Sequence, residues 1–271
     1  MNHKLAFIGG GNMARSLIGG LIARGTPAHD IAVADPIESQ LEALRSHFGV
    51  RTSTDNSQIV RDADVVILAV KPQEMRTVTT ALAKSFASNA LIISVAAGIR
   101  ASDIHRWSGG IAVVRCMPNR PALQGCGMTG LFATDNVSSA HRTLAETMLA
   151  AVGATIWLEQ EAQMDVVTAI SGSGPAYFFL LIEMLEESGV ALGLTPEVSH
   201  RLAVETAYGS GLMAREASEP ASVLRQQVTS KGGTTAAALD VLESEKVRAT
   251  FAAAIQAAAR RSAQLADEFG G

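Results

Sequence analysis

The stretch KLAFIGGGNMA, Lys4–Ala14, decides the fold. Leu5, Ala6, Phe7 and Ile8 form a short apolar run of the kind that makes a buried strand, and a helical pattern starts at Asn12 and runs to Arg24. Between them lie Gly9, Gly10 and Gly11. Gly9, Gly11 and Ala14 fit a G-x-G-x-x-A pattern, in which each position has a physical reason. The first glycine permits the tight turn, the second lets a pyrophosphate approach the backbone, and the small third residue lets helix and strand pack closely. The helix N-terminus then presents free N–H groups and a positive dipole end to the phosphates. A glycine-rich strand–helix turn alone is a weak signal. Here the next apolar run, Ile31–Ala34, ends in an acid, Asp35. An acid about 20 residues past the glycines is placed to grip ribose hydroxyls, so the context points to a dinucleotide site.

Outward from that stretch, short apolar runs alternate with helical patterns as far as Leu158. The runs are Leu5–Ile8, Ile31–Ala34, Val65–Val70, Leu91–Val95, Ile111–Cys116, Met128–Phe132 and Thr155–Leu158. Helical patterns cover Asn12–Arg24, Ile37–Phe48, Pro72–Phe86 and Ser138–Ala151. Runs that are apolar on successive residues suit strands covered on both faces, and the alternation predicts a parallel, doubly wound sheet. Ligands of such sheets sit beyond the carboxyl ends of the strands. That directs attention to Gly9–Asn12, Asp35, Ala69–Lys71, Ala96–Gly98 and Met117–Arg120.

After Glu161 the pattern is helical throughout, with helices expected over Ala162–Ile170, Pro175–Ser188, Pro196–Arg215, Ser222–Val228, Thr235–Leu242 and Lys246–Glu268. The expected fold is therefore α/β, an N-terminal Rossmann-type doubly wound sheet over residues 1–161 followed by an all-α domain over residues 162–271. Val166, Val167, Ile170, Phe178, Phe179, Leu181, Ile182 and Leu185 put apolar side chains on more than one helix face. A small helical domain has too little interior for them, and a dimer interface accounts for them simply.

Composition narrows the function classes. The 271 residues are 48% apolar, enough for a substantial core, with a net charge of −4 and no basic run. Nucleic-acid binding has no electrostatic footprint. Cys116 and Cys126 make neither a disulfide framework nor a metal cluster, so no metal and a reducing, cytoplasmic setting are expected. No signal peptide precedes the first strand, and no apolar run reaches the ~20 residues of a membrane span. The run Ala176–Ile182 stops at Glu183 and reads as buried helix.

Two stretches of the helical half stand out. Ser171-Gly172-Ser173-Gly174-Pro175 interrupts an apolar helical pattern, where each glycine costs about 1 kcal/mol relative to alanine. It reads as a loop, either for close packing or for amides and hydroxyls facing a ligand. Thr229–Thr235, TSKGGTT, reads as a Gly-Gly turn feeding a helix N-terminus, either an ordinary capping turn or a small anion site. Elsewhere Lys71 is a solvated strand end or a cofactor contact, Asn56 a helix cap or a cofactor contact, and Cys116 a buried small residue rather than a reactive thiol.

Taken together, IGGGNMA (Ile8–Ala14), AVKP (Ala69–Pro72), SVAAG (Ser94–Gly98), RCMPN (Arg115–Asn119), SGSGPAY (Ser171–Tyr177) and VTSKGGTTAAAL (Val228–Leu239) resemble the pyrroline-5-carboxylate reductases. The resemblance spans essentially the whole chain, and the last motif is the most specific. It implies reduction of L-1-pyrroline-5-carboxylate to L-proline with NADPH or NADH. It also implies a helical domain interlaced with its partner's in a homodimer, and family dimers often build larger rings. Residues implied to contact the cofactor are Ile8, Gly9, Gly10, Gly11, Asn12, Met13, Asp35, Asn56, Val70, Lys71, Pro72 and Ala97. Asn119, Ser173, Gly174, Glu219, Gly233, Thr234 and Thr235 are implied to hold the substrate, with Thr235 and Ser173 taking part in catalysis. The family usually has threonine where this chain has Arg120, which can point to solvent, help hold a carboxylate or crowd the site. A β-hydroxyacid dehydrogenase, the rival enzyme, calls for a lysine shortly after a glycine-rich turn, and Ser171–Ile182 has none. A non-catalytic NAD(P) sensor is the rival from another class, favoured only by Arg120.

Overall fold

A computed structural model describes residues 3–270. The strands are β1 (Leu5–Ile8), β2 (Ile31–Ala34), β3 (Arg51–Ser53), β4 (Val65–Leu68), β5 (Leu91–Ser94), β6 (Ala112–Met117), β7 (Gly127–Ala133) and β8 (Gly153–Trp157). The helices are α1 (Asn12–Ala23), α2 (Glu38–Phe48), α3 (Asn56–Val60), α4 (Pro72–Leu82), α5 (Ala101–Trp107) and α6 (Ser139–Leu149). They continue with α7 (Gln163–Val167), α8 (Gly174–Ala191), α9 (Pro196–Glu216), α10 (Ala221–Gln227), α11 (Thr234–Ser244) and α12 (Val247–Gly270).

By packing, the chain divides into two units. One takes in the residues up to Ser173 together with those from Ala258 onward; the other is Gly174–Ala257. These packing units do not coincide with a division after residue 161, because Met164 and Ala169 are buried within the first unit and Val167 lies against β7 at Gly130.

In the first unit one eight-stranded sheet runs in the order β3-β2-β1-β4-β5-β6-β7-β8. Alternate residues of the central strands enter opposite cores, as a period of two requires. Leu5 and Phe7 pack with Leu17, Ile18, Leu41 and Leu44 on one face, while Ala6 and Ile8 pack with Val60, Met75, Leu82 and Ile104 on the other. Both faces are covered, which is why the strands read as unbroken apolar runs.

The sheet is not wholly parallel. β7 runs antiparallel to β6, and β8 is parallel to β7. A parallel crossover needs a dozen or more residues, usually with a helix, and the β6–β7 connection holds only a 3-10 turn at Arg120–Gln124. β3, α3 and α5 are additional to the expected elements. β3 is a polar edge strand of three residues, so it leaves no apolar signal, and α3 and α5 are too short to show a period.

The expected loop at Ser171–Pro175 is helical instead. Thr168–Gly172 is a π-helical turn joining α7 to α8, and the Ser173 N–H donates to the Thr168 carbonyl at 2.8 Å. The chain widens its helix by a residue there rather than breaking it. Gln163–Ala191 is thereby a helix of 29 residues, within which an 18-residue window has a mean hydropathy of 1.4. By length and composition alone that helix could span a membrane, although no unbroken apolar run in it approaches 20 residues.

In the second unit α8 and α9 pack closely. The Ser199 hydroxyl donates to the Glu186 carbonyl at 2.7 Å, and a side chain at Gly189 would overlap Ser199. The face of α8 expected to be buried is not covered within the chain: Phe178 is 67% and Phe179 61% exposed, and Leu180, Leu181 and Leu185 are exposed as well.

Candidate active site

Strand register brings the residues singled out in the first half to one edge of the sheet. Ile8 pairs with Ala34 and Leu68, and Leu68 pairs with Ser94, so Gly9, Asp35, Ala69 and Val95 all step off the sheet at the same level. This is where strand order reverses between β1 and β4, the crevice in which doubly wound sheets take their ligands.

Gly9 has φ +99, and a Cβ there would lie 2.6 Å from the Ala69 carbonyl oxygen, so only glycine fits. Gly11 has nothing within 4 Å of a Cβ position and leaves open space in front of α1. It is also the N-cap of α1 and supplies no side-chain cap, so the first amides of that helix keep their donors. An open cradle with unsatisfied N–H groups fits a pyrophosphate.

Asp35 is 8% exposed. Its Oδ2 accepts from the Gly10 N–H at 2.8 Å and its Oδ1 from the Ile37 N–H at 2.9 Å. The acid expected to meet ribose therefore also ties the glycine turn to the end of β2, a duty that spacing could not reveal. Val70 and Lys71 follow β4, Lys71 is the exposed N-cap of α4, and Pro72 is that helix's first residue. Ala97 is half-buried beyond β5. Asn12 opens α1 with its side chain exposed, and Met13 packs on the core. Asn56 opens α3, but the cap is Asp55, whose Oδ1 accepts from the Ser57 N–H at 2.8 Å. The side-chain hydrogen bond from Ser57 is the main cause holding the Asp55 carboxyl below its usual range.

The loop after β6 carries Asn119 and Arg120. The Asn119 amide is engaged at both ends: Nδ2 donates to the Ser171 carbonyl at 3.1 Å and Oδ1 accepts from the Met128 N–H at 2.9 Å. Arg120 is exposed. Arg115 is a structural cation that motif reading does not distinguish. It is 3% exposed and donates to Glu161 Oε1 at 3.0 Å, and the same oxygen accepts from the Ala101 N–H at 2.5 Å. Cys116 is fully buried, and desolvation pushes its thiol far up, so it is inert at neutral pH.

In the second unit, Gly233 is the N-cap of α11 and, again, provides no side-chain cap. The amides of Thr234, Thr235 and Ala236 stay available at the helix's positive end. The preceding turn is closed by the Gly233 N–H donating to the Ser230 carbonyl at 3.1 Å, with Gly232 at φ +73. Thr235 is half-buried and Thr234 exposed. Glu219 is exposed and accepts from the Ser218 hydroxyl at 3.2 Å.

Among known proteins, residues 161–265 match the family model for pyrroline-5-carboxylate reductase dimerisation. Residues 4–98 match that of NADP oxidoreductases, coenzyme F420-dependent. The pyrroline-5-carboxylate reductase of Pseudomonas aeruginosa is 46% identical over 268 residues, 98% of each chain. The chain belongs to the pyrroline-5-carboxylate reductase family. A solved reductase of that name from Coxiella burnetii is 42% identical with a TM-score of 0.93, covering 98% of this chain and 99% of that one. The Plasmodium falciparum pyrroline carboxylate reductase, solved with NADP bound, is 29% identical with a TM-score of 0.86 and 98% coverage of both chains. The helical half thus matches a reductase dimerisation domain, in keeping with a homo-oligomer.

Proposed function

We infer that this chain reduces L-1-pyrroline-5-carboxylate to L-proline with NAD(P)H. The observation that carries this is the conjunction of full-length family membership with an intact glycine cradle at the sheet's switch point. When bound, the nicotinamide supplies a hydride. In this reading Ile8–Met13, Asp35, Asn56, Val70, Lys71, Pro72 and Ala97 hold it, with the phosphates on the α1 amides. Gly233, Thr234 and Thr235 hold the substrate, its carboxylate on the free amides of Thr234 and Thr235, and the Thr235 hydroxyl reaches the ring nitrogen. Ser173 and Gly174 line the substrate pocket, and Glu219 caps the ring. A cyclic iminium is already electrophilic, so positioning and fixed hydrogen bonds are what the protein must provide. Residues 1–161 then serve the cofactor, and residues 162–271 serve dimerisation and substrate. The dimers assemble further into rings in the cytoplasm. The 29-residue helix serves the interface rather than a membrane, since Glu183, Glu186 and Glu187 lie in its second half. Substrate-dependent oxidation of NADH or NADPH tests the activity, and its absence with both cofactors refutes it.

Thr235→Ala removes a hydrogen bond made to the reacting ring. A loss of about 2–4 kcal/mol of transition-state stabilisation is expected, lowering kcat/KM roughly 30- to 800-fold while cofactor affinity stays unchanged. An unaltered kcat/KM takes Thr235 out of the mechanism.

Cofactor preference follows from the end of β2. A 2′-phosphate there meets Asp35, Pro36, Ile37 and Glu38. The nearest downstream cation, Arg45, is already engaged with Glu38, Glu42 and Thr52. A like-charge contact costs at least about 1 kcal/mol near a partly solvated surface. NADH is expected to serve at least as well as NADPH in kcat/KM at equal ionic strength, and Asp35→Asn to move the ratio toward NADPH. A tenfold wild-type preference for NADPH, or a ratio that Asp35→Asn leaves unmoved, removes Asp35 as the discriminator.

A further inference from the structure

We propose that Asn119 is a positioning residue that sets the geometry of the π-turn carrying Ser173. The proposal rests on the reading that Ser173 lines the substrate pocket. Pro175 has no N–H, so in a regular helix the carbonyl four residues back, that of Ser171, would lose its partner. The Asn119 Nδ2 donates to that carbonyl at 3.1 Å and takes the place of the missing helix donor. The other end of the same amide accepts from the Met128 N–H at 2.9 Å, so the side chain is fixed to the start of β7.

The turn it holds is packed from two further sides. A Cβ at Gly172 would lie 2.6 Å from Met117 Cε, and one at Gly130 2.8 Å from Val167 Cγ1. Within the turn the Ser173 N–H donates to Thr168 O at 2.8 Å, which is the widened, π-type bond. The Ser171 hydroxyl donates to Val167 O at 3.0 Å. A π-turn is a strained insertion that persists where its surroundings hold it, and such turns gather at functional sites. Asn119 makes the holding contact at the one carbonyl that proline leaves open. It acts on substrate through Ser173 rather than by touching it.

Asn119→Asp tests this, because it keeps shape and the Met128 contact but puts an acceptor where the Ser171 carbonyl needs a donor. Exchange of the Ser173 amide, followed by hydrogen–deuterium exchange, is expected to rise by about tenfold or more. The KM for pyrroline-5-carboxylate should rise by about tenfold, while the KM for NADH stays within about twofold. A general loss of folded enzyme would instead lower kcat and leave both KM values alone. Pro175→Ala restores an N–H that can reach the Ser171 carbonyl, so Asn119→Asp with Pro175→Ala is expected to recover most of the lost affinity. If Asn119→Asp does not fold, Asn119→Ser takes its place with the same readouts. Unchanged Ser173 exchange, or no recovery by Pro175→Ala, overturns the positioning role. Faster exchange with an unchanged KM also overturns the proposal, but locates the failure in the assignment of Ser173 to the substrate pocket.

Discussion

Gly9→Ala is expected to abolish useful cofactor binding, raising the Kd for NADH by at least about 100-fold, roughly 3 kcal/mol. Two costs combine at this position. The left-handed φ of +99 is one that alanine adopts only with strain, about 1–2 kcal/mol. The added methyl would also lie 2.6 Å from the Ala69 carbonyl oxygen and 2.8 Å from its carbon, and neither is the end of a flexible side chain. The turn must shift, and with it the amides at the start of α1 that face the phosphates. Gly25→Ala is the control. Gly25 has φ +91 but nothing within 4 Å of a Cβ position, so it carries the backbone strain without the collision. Titration of NADH by fluorescence should show wild-type affinity for Gly25→Ala and almost none for Gly9→Ala. Equal affinities for the two variants would mean that the close approach of Gly9 to β4 does not shape the cofactor site.

Phe178→Glu is expected to dissociate the dimer. Phe178 is 67% exposed within one chain, beside the exposed Leu181 and Leu185 on the same helix face. Covering a phenylalanine contributes about 1.5–3 kcal/mol, and in a two-fold interface the loss occurs twice. An unpaired carboxylate in an apolar interface adds several kcal/mol more. The dissociation constant should rise by at least about a thousandfold, corresponding to about 4 kcal/mol. Analytical ultracentrifugation at micromolar concentration is expected to find wild type as a dimer or a larger assembly of dimers and the variant monomeric. A variant that sediments as wild type would place the interface elsewhere on the helical domain.

Where sequence and structure agree, the residues act locally. β1 was legible because a four-residue apolar run followed at once by three glycines suits a short strand with a core on each side, and both cores are present. The glycine turn was legible because its spacing encodes steric needs that no other residue meets, as Gly9 shows. The surplus of apolar residues in α8 was legible as a count that one small domain could not absorb, and the family's dimerisation match explains it.

The residues misread are those whose partners lie far along the chain. A glycine-rich pentapeptide ending in proline looks like a loop to any local rule. It is helical because a neighbouring loop supplies an amide to the Ser171 carbonyl and a π-type bond absorbs the extra residue. β3 is too short and too polar to announce itself and exists because the edge of β2 offers it a ladder.

By itself the sequence determined the alternation of strands and helices, the glycine cradle and its neighbouring acid, the motifs of a pyrroline-5-carboxylate reductase, and the need for a second copy of the helical half. These follow from side-chain period, backbone sterics and apolar area, which are properties of short stretches. The tertiary structure alone decided the reversal of β7, the double engagement of Asp35 and Asn119, the pairing of buried Arg115 with Glu161 and the widened helical turn before α8. Each of those depends on which polar group meets which buried donor or acceptor across the fold, and hydrogen bonds between distant residues leave no period in a sequence.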